Sequence, residues 1–338
     1  MLLTEPSNGE LLIKIKYTSI CTSDLHTHSG RRMSPTPCVL GHEIIGEIIK
    51  MGRDVGADHN GNILTEGDVI TWCVYAYDHS SEMALKGIPQ KSVGLYKYGH
   101  HTFTPNDGLN GGLATHCMLK KGTAVFKFSN EINAKTAAPI NCTHATIAGA
   151  LRLAGDIAQK NILIAGAGML GLSACAMAND VGAENVYAID VNKDRLAYSK
   201  KFGATKTFEG DLSVEEINAE LSIHEKIDIV LDTTGIPAVM EKGLKLLNIG
   251  GTAIWVGAVF NQPDTQINAE MIVRNLLTIK GLHNYTPADL ASAIRFIEAN
   301  HKKYPFEELV GAEFPLEELE QAFETAANGK YYRVGIRQ

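Results

Sequence analysis

Residues 161–171 read NILIAGAGMLG, and they limit the possible folds more than any other stretch. A short apolar run enters Gly166-Ala167-Gly168-Met169-Leu170-Gly171, which leads directly into an Ala-rich segment, LSACAMANDVGA. A bare G-x-G-x-x-G motif is weak evidence. A strand before it and a helix after it make it a phosphate-binding turn. The first glycine allows the tight turn, the second lets backbone approach a pyrophosphate, and the third lets helix pack on strand. Free N–H groups and the helix dipole then favour the anion. The next apolar run, NVYAID, ends at Asp190, 19 residues beyond Gly171, where a carboxylate takes ribose hydroxyls. A carboxylate there repels a 2′-phosphate, so NAD is expected rather than NADP. Arg195, in the following segment, is grouped with Gly166, Gly168, Met169, Leu170, Gly171 and Asp190 as a cofactor contact. Helix-like and strand-like runs continue to alternate through KDRLAYSKKFGA, IDIVLDTT, AVMEKGLKLLNIGG, TAIWVGA and LLTIKGL. This pattern predicts a doubly wound parallel sheet, an α/β fold of the Rossmann kind.

The other informative stretch is CTSDLHTHSGRRMSPTPCVLGHE, from Cys21 to Glu43. A thiolate at Cys21 and an imidazole at His42 suit tetrahedral zinc better than calcium or magnesium, which prefer oxygen. Each residue alone reads more simply as a buried Cys, a surface His and a solvated Glu. Together they form a C-x-S-D-x-H run followed by G-H-E.

These paired motifs resemble those of the zinc-dependent medium-chain alcohol and polyol dehydrogenases, and the resemblance covers nearly the whole chain. It implies a catalytic zinc held by Cys21, His42 and Cys142, with Glu43 a direct ligand or exchanging with water. It also implies that Ser23 contacts the reacting oxygen, that His26 continues a proton relay, and that Asp24 orients the imidazole of His42. As a lone Cys in an Ala-rich segment, Cys142 would otherwise be core packing; the surrounding INC…AT…GAL pattern carries its reading as a ligand.

At 338 residues two domains are expected. ELLIKIKYTSI alternates apolar residues with Lys, as a half-buried strand does, and VLGHEIIGEIIKMG and GNILTEGDVITWCV add further strands. This β-rich part matches the GroES-like catalytic domain that the resemblance implies. The tail after Tyr285 reads as helix, turn at Pro305, helix and final strand, and in the family it returns to the catalytic domain. The expected division is 1–142 with 285–338, and 143–284 for the dinucleotide-binding domain. Relatives usually carry about a hairpin more before ELLIKIK, so an early edge is expected to be missing or supplied otherwise. Residues 74–111 form a polar lobe where many relatives bind a structural zinc through four Cys. The corresponding positions here are Asp78, Ser81, Ala84 and Ser92, so no structural zinc is expected. His79, His100 and His101 read as exposed polar side chains. The segment TAAPINCTHATIAGALRLAG reads as one helix.

A formal net charge of −7 offers no basic face for nucleic acid. No apolar run approaches the roughly 20 residues of a membrane span. Met1 leads into LLTEPSNGELLIKIK without the pattern of a signal peptide, and six scattered cysteines suggest no disulfide framework, so a cytoplasmic protein is expected. Apolar late strands such as TAIWVGA and LLTIKGL could pair across a two-fold axis, and the resemblance points to a homodimer or homotetramer.

The expected reaction is hydride transfer between an alcohol or carbonyl substrate and NAD. Arg31 and Arg32 lie between the two metal motifs. The pieces SGRR, PTP, LGHE, G-x-PQK and KYGH resemble a subgroup associated with phosphonate catabolism, and there the arginine pair would bind an anionic substrate bidentately. A polyol dehydrogenase is the alternative within oxidoreductases. Outside that class stand a lyase or epimerase using NAD as an internal relay, and a catalytically idle zinc-binding member of the fold.

Overall fold

The computed structural model describes residues 3–128 and 131–338. The chain up to Ala145, rejoined by Asn284–Gln338, forms one compact unit, and Thr146–His283 forms a second.

In the first unit, strands β1 (Leu11–Ile20), β2 (Glu43–Met51), β3 (Val69–Ala76), β4 (Tyr96–Lys97), β5 (His116–Leu119) and β6 (Thr123–Lys127) are largely antiparallel. β1 keeps the alternation seen in its sequence: Ile13 and Ile15 are buried, and Lys14 and Lys16 are exposed. Its apolar side joins Ile44, Ile48, Trp72, Tyr98 and Cys117 in the core. One edge of β1 pairs with β2. The other is covered by β5 along Leu11–Lys14 and by the chain's last strand along Tyr17–Ile20.

The second unit holds β7 (Asn161–Ala165), β8 (Asn185–Asp190), β9 (Lys206–Glu209), β10 (Ile227–Asp232), β11 (Leu247–Trp255) and β12 (Thr278–Gly281). They form a parallel sheet in the order β12-β11-β10-β7-β8-β9, with the helix Met169–Asp180 crossing from β7 to β8. This is the doubly wound arrangement that the alternating pattern predicts. Two strands return to the first unit, β13 (Val310–Pro315) and β14 (Arg333–Arg337), parallel to each other, with β14 antiparallel to β1.

Three local readings need correction. Residues 136–155 are not one helix. A short helix Ala134–Ala137 tightens into a 3-10 turn Ala138–Asn141, the backbone breaks at Cys142 (φ −129°, ψ −76°), and a new helix runs Thr143–Ala154. Pro139 has no N–H to give an α-helical ladder, and the break takes Cys142 out of the helical series. The segment AVMEKGLKLLNIGG divides as well: the helix Pro237–Leu246 stops where β11 begins at Leu247. VGAEFP, unassigned between two helical patterns, is β13, because β14 supplies its partner.

Buried polar contacts fix the turn before Cys142. Asn141 is wholly buried; its Oδ1 accepts from the Ile44 N–H (3.2 Å) and its Nδ2 donates to the Trp72 carbonyl (2.9 Å). Its own carbonyl accepts from the Tyr285 hydroxyl. Asn141 thus ties the turn to β2, β3 and the returning chain, each contact filling a backbone or side-chain group that burial would otherwise leave unpaired. Among the described residues no helix is long and apolar enough to cross a membrane.

Candidate functional site

The first unit brings together three donors distant in sequence. A sulfur of Cys21, a ring nitrogen of His42 and the sulfur of Cys142 all lie within 4.8 Å of one another. Cys21 sits just before the helix Thr22–His28, His42 just before β2, and Cys142 in the break between two helices. Two sulfurs and an imidazole nitrogen are the soft donor set that zinc takes, so these residues fit that ion.

Their surroundings prepare them for that role. The Cys142 thiol hydrogen-bonds to the Cys21 sulfur and, with the Arg333 guanidinium and His42 adding to it, pulls the Cys21 pKa well below that of an ordinary thiol. The same contact, with burial, pushes Cys142 up. Asp24 is fully buried and directs His42. Its Oδ1 is 3.1 Å from His42 Nδ1 and accepts from the Gly41 N–H (3.3 Å), while Oδ2 accepts from the Cys21 N–H (3.0 Å). Burial opposes a charge on His42, but the Asp24 carboxylate outweighs it and raises its pKa. Orientation through Nδ1 leaves Nε2 toward the sulfurs, the usual division of labour for a ligating imidazole. Ser23 Oγ lies 3.2 Å from that Nε2. His26 follows Ser23 by one helical turn and is partly buried, which lowers its pKa.

A second group, Asp24, His42 and His100, also clusters within 4.8 Å. It shares His42, and Asp24 already accepts three hydrogen bonds, so Cys21–His42–Cys142 is the better metal set.

Glu43 lies outside both clusters. Arg333 grips it at both oxygens, Nε to Oε2 at 2.7 Å and Nη2 to Oε1 at 2.8 Å. Ser19 donates to Oε2 (2.6 Å) and Thr143 to Oε1 (3.2 Å). The Arg333 and Glu43 side chains are 4% and 0% exposed. Burial raises the Glu43 pKa against the pull of Arg333, and burial works against the Arg333 charge, which the Glu43 carboxylate more than restores. Arg333 Nη2 also donates to Thr143 Oγ1 (2.9 Å) and to Cys21 Sγ (3.5 Å). A carboxylate gripped in this way is committed to the arginine.

Sequence reasoning passed over Arg333, which reads there as one more residue of a final strand. It also took His100 for a solvated side chain. In the structure the His100 ring packs against that of His42, centroids 5.3 Å apart, and its Nδ1 is buried without a hydrogen-bond partner. Burial pushes the His100 pKa down to about 3. His79 stacks on Tyr77 and His101 on Tyr96. In the lobe, Ser81 and Ser92 hydrogen-bond to each other (2.7 Å), Ser81 caps the helix Glu82–Leu85, and Asp78 accepts from Ser80. No signal in one sequence marks Arg333, because its partners are hundreds of residues away.

In the second unit, Gly166 has φ +97°, which favours glycine. A Cβ on Gly171 would stand 1.8 Å from the Gly166 carbonyl oxygen, whereas one on Gly168 would meet open space. Crowding therefore explains the first and third glycines, and openness beside the helix N-terminus explains the second. Met169 and Leu170 begin the helix. Asp190 ends β8; its Oδ2 accepts from the Ala167 N–H in the loop (2.6 Å) and Oδ1 from the Asn192 N–H (2.8 Å). Arg195 lies in the first turn of the helix Lys193–Ser199.

Replacing Arg333 by Met is expected to cost about 3–5 kcal/mol, because a buried carboxylate loses its counter-charge. In Glu43→Gln/Arg333→Met no net charge stays buried, and much of that stability should return. Urea denaturation of the three proteins checks both. A single variant within about 1 kcal/mol of wild type would show that the pair does not hold the unit together.

Residues 7–130 match the family model described as alcohol dehydrogenase GroES-like domain, and residues 170–299 the one described as zinc-binding dehydrogenase. The chain is 26% identical to a sorbitol dehydrogenase of Halalkalibacterium halodurans over 334 residues, covering 97% of this chain and 92% of the relative. It is 27% identical to an L-threonine 3-dehydrogenase of Idiomarina loihiensis, covering 96% and 91%. The crystal structure of an alcohol dehydrogenase from Thermotoga maritima superposes with a TM-score of 0.93 at 26% identity, covering 100% and 94%. Matches in both halves, over a fold shared along the whole chain, place this protein among the zinc-binding medium-chain alcohol and polyol dehydrogenases, an oxidoreductase family that works with zinc and a nicotinamide dinucleotide.

Proposed function

We propose that the chain oxidises an anionic alcohol, such as a hydroxyphosphonate, to the aldehyde or ketone with NAD. The observation that carries the anionic substrate is the cationic pair Arg31–Arg32, which follows the helix of Ser23 and His26 closely enough for both charges to lower the pKa of His26. In a chain of net charge −7, such a pair beside the metal donors is a local exception. A guanidinium fork matches the oxygens of a phosphonate, and a neutral polyol has no such group.

Cys21, His42 and Cys142 would hold the zinc, and Gly166 to Gly171 with Asp190 the dinucleotide. Bound there, zinc supplies Lewis acidity toward the substrate oxygen and the nicotinamide accepts hydride. The rest falls to this chain. Asp24 holds the His42 ring. Ser23 Oγ, beside His42 Nε2, accepts the substrate's hydroxyl proton as it gives up its own, and His26, one turn along, carries the released proton toward solvent.

A panel of hydroxyphosphonates, polyols and simple alcohols, followed by NADH absorbance, tests this reading. Metal analysis is expected to find a single tightly held zinc per chain, lost in Cys21→Ser. A second tightly held zinc would contradict the reading of the lobe. Turnover of sorbitol-like polyols alone would favour the polyol reading. NAD retained through turnover with no net NADH would favour an epimerase or lyase.

NAD preference rests on Asp190. Asp190→Ala should weaken NAD by about 1–3 kcal/mol, the cost of losing charged hydrogen bonds. Asp190 also steadies the Ala167 N–H, so loop damage would weaken both cofactors. Lost repulsion instead raises the ratio of NADP to NAD efficiency. A wild type using NADP as well as NAD would refute the assignment.

We also place a subunit contact at β12, the end strand of the second sheet, near the exposed Ile249, Val273 and Leu276. Light scattering at micromolar concentration should give at least a dimer; a monomer mass would remove this contact.

A further inference from the structure

We propose that Arg32 and Lys97, with Lys91 adding its charge, form a subsite for a dianionic tetrahedral group on the substrate, a phosphonate or a phosphate ester. The proposal rests on reading the centre as an alcohol-oxidising site, and it adds residues from a part of the chain that nothing else connects to the substrate.

The two segments are stitched to each other and to the metal donors. After the helix Thr22–His28 the chain folds back, with the Arg32 N–H donating to the His26 carbonyl (2.9 Å). Farther along, Cys38 bridges to Thr102, and the Phe103 N–H donates to the Pro37 carbonyl (2.7 Å). These contacts join the loop of Arg32 to the turn Lys97-Tyr98-Gly99-His100, which the His100 N–H closes onto the Lys97 carbonyl (3.2 Å). The turn lies directly on the metal segment: a Cβ on Gly99 would stand 2.8 Å from the Gly41 oxygen and 3.2 Å from His42 Cβ. The His100 ring rests against His42. Lys97 is pinned at its other end by pairing of β4 with Tyr75 on β3.

Charge then distinguishes this corner. Lys97 is half-buried, and among the described residues its ammonium has neither hydrogen bond nor ion pair, although the half-buried Lys120 does, with Glu10 and Asp107. Burial, Lys91 and Arg32 all lower the Lys97 pKa, and no carboxylate opposes them. The side chain of Arg32 is likewise half-buried with no carboxylate partner among the described residues. The carboxylate that reaches His100, Asp24, is already committed to Cys21, Gly41 and His42. Like charges held together out of water are costly unless an anion joins them. A dianion answers two or three cations better than a carboxylate does, and its oxygens accept from both an arginine fork and a lysine.

The test uses the zinc- and NAD-loaded protein, so that the dinucleotide's own phosphate site is filled. Methylphosphonate is the probe, followed by its phosphorus NMR linewidth. Wild type should bind it, Lys97→Met should bind about tenfold to hundredfold more weakly, as for loss of one charged hydrogen bond, and Lys97→Arg should recover most of the affinity. In turnover, Lys97→Met should raise KM for 2-hydroxyethylphosphonate far more than it changes kcat, and lower the preference for that substrate over 1-propanol. Absence of methylphosphonate binding in a wild type that oxidises 1-propanol would overturn the subsite and leave the alcohol-oxidising centre standing. Equal losses on both substrates in Lys97→Met would make Lys97 a structural residue and overturn it too. Binding of acetate as tight as methylphosphonate would overturn the dianion. Failure to oxidise any alcohol would instead remove the reading of the centre, with methylphosphonate binding deciding the subsite by itself.

Discussion

The first unit depends on one buried ion pair. Arg333, five residues from the end of the chain, reaches Glu43 at the start of β2 and is enclosed with it. Two buried charges are tolerable only when geometry is good and remaining hydrogen-bonding capacity is filled. Both conditions hold. The contact is bidentate, and Ser19 and Thr143 fill the carboxylate's other positions. The pair therefore acts as a registration device. β14 must lie beside β1 in one register for Arg333 to meet Glu43, and Thr143 must stand one residue after the break that carries Cys142. Because the same guanidinium touches Cys21, the contact that seats the last strand also biases a metal donor toward its thiolate.

A polar network extends this ordering from strands to ligands. Cys21, His42 and Cys142 lie on three separate segments, and none of the three thiol or imidazole contacts would bring them together alone. Asp24 binds backbone at both Cys21 and Gly41, so one carboxylate sets the distance between the first two ligand segments. Asn141 does the same for the third by binding backbone on β2 and β3. Each of these side chains is wholly buried. Misplacing either segment would strand several polar groups away from water, and that cost far exceeds the net worth of a single hydrogen bond. The donor set is thus held by its neighbours before any ion adds its own energy.

What could be read from the sequence divides along the same line. The α/β class was legible because its signals are local: the glycine loop is contiguous, and β1 declares itself by alternating Ile and Lys. Cys21, Asp24 and His42 were visible as candidates because a helix and a strand start bring nearby residues close. The break at Cys142 was hidden by an Ala-rich composition that favours helix, which Pro139 and the Asn141 contacts override. β13 was missed because a strand whose partner lies beyond a helix has no local turn to mark it. Arg333 and His100 were invisible for a stronger reason: their meaning is a partner 58 to 312 residues away, for His100 in Asp24 and His42 and for Arg333 in Cys21, and no periodicity encodes such a pairing.

This division also separates chemistry from selectivity. Asp24, His42, Glu43 and Arg333 are all buried, and a change in one disturbs the packing of several others. The cations proposed to meet the substrate are half-buried or exposed, and backbone bridges tie the loop of Arg32 to the turn of Lys97. Exchanging Lys97 or Arg32 for another residue would alter the charge offered to substrate while leaving the Asp24–His42 and Glu43–Arg333 contacts in place. A fold whose relatives carry names as different as sorbitol and threonine dehydrogenase needs such an arrangement. In the proposed reading, the buried network holds the metal donors, and the loops select the molecule that reaches them.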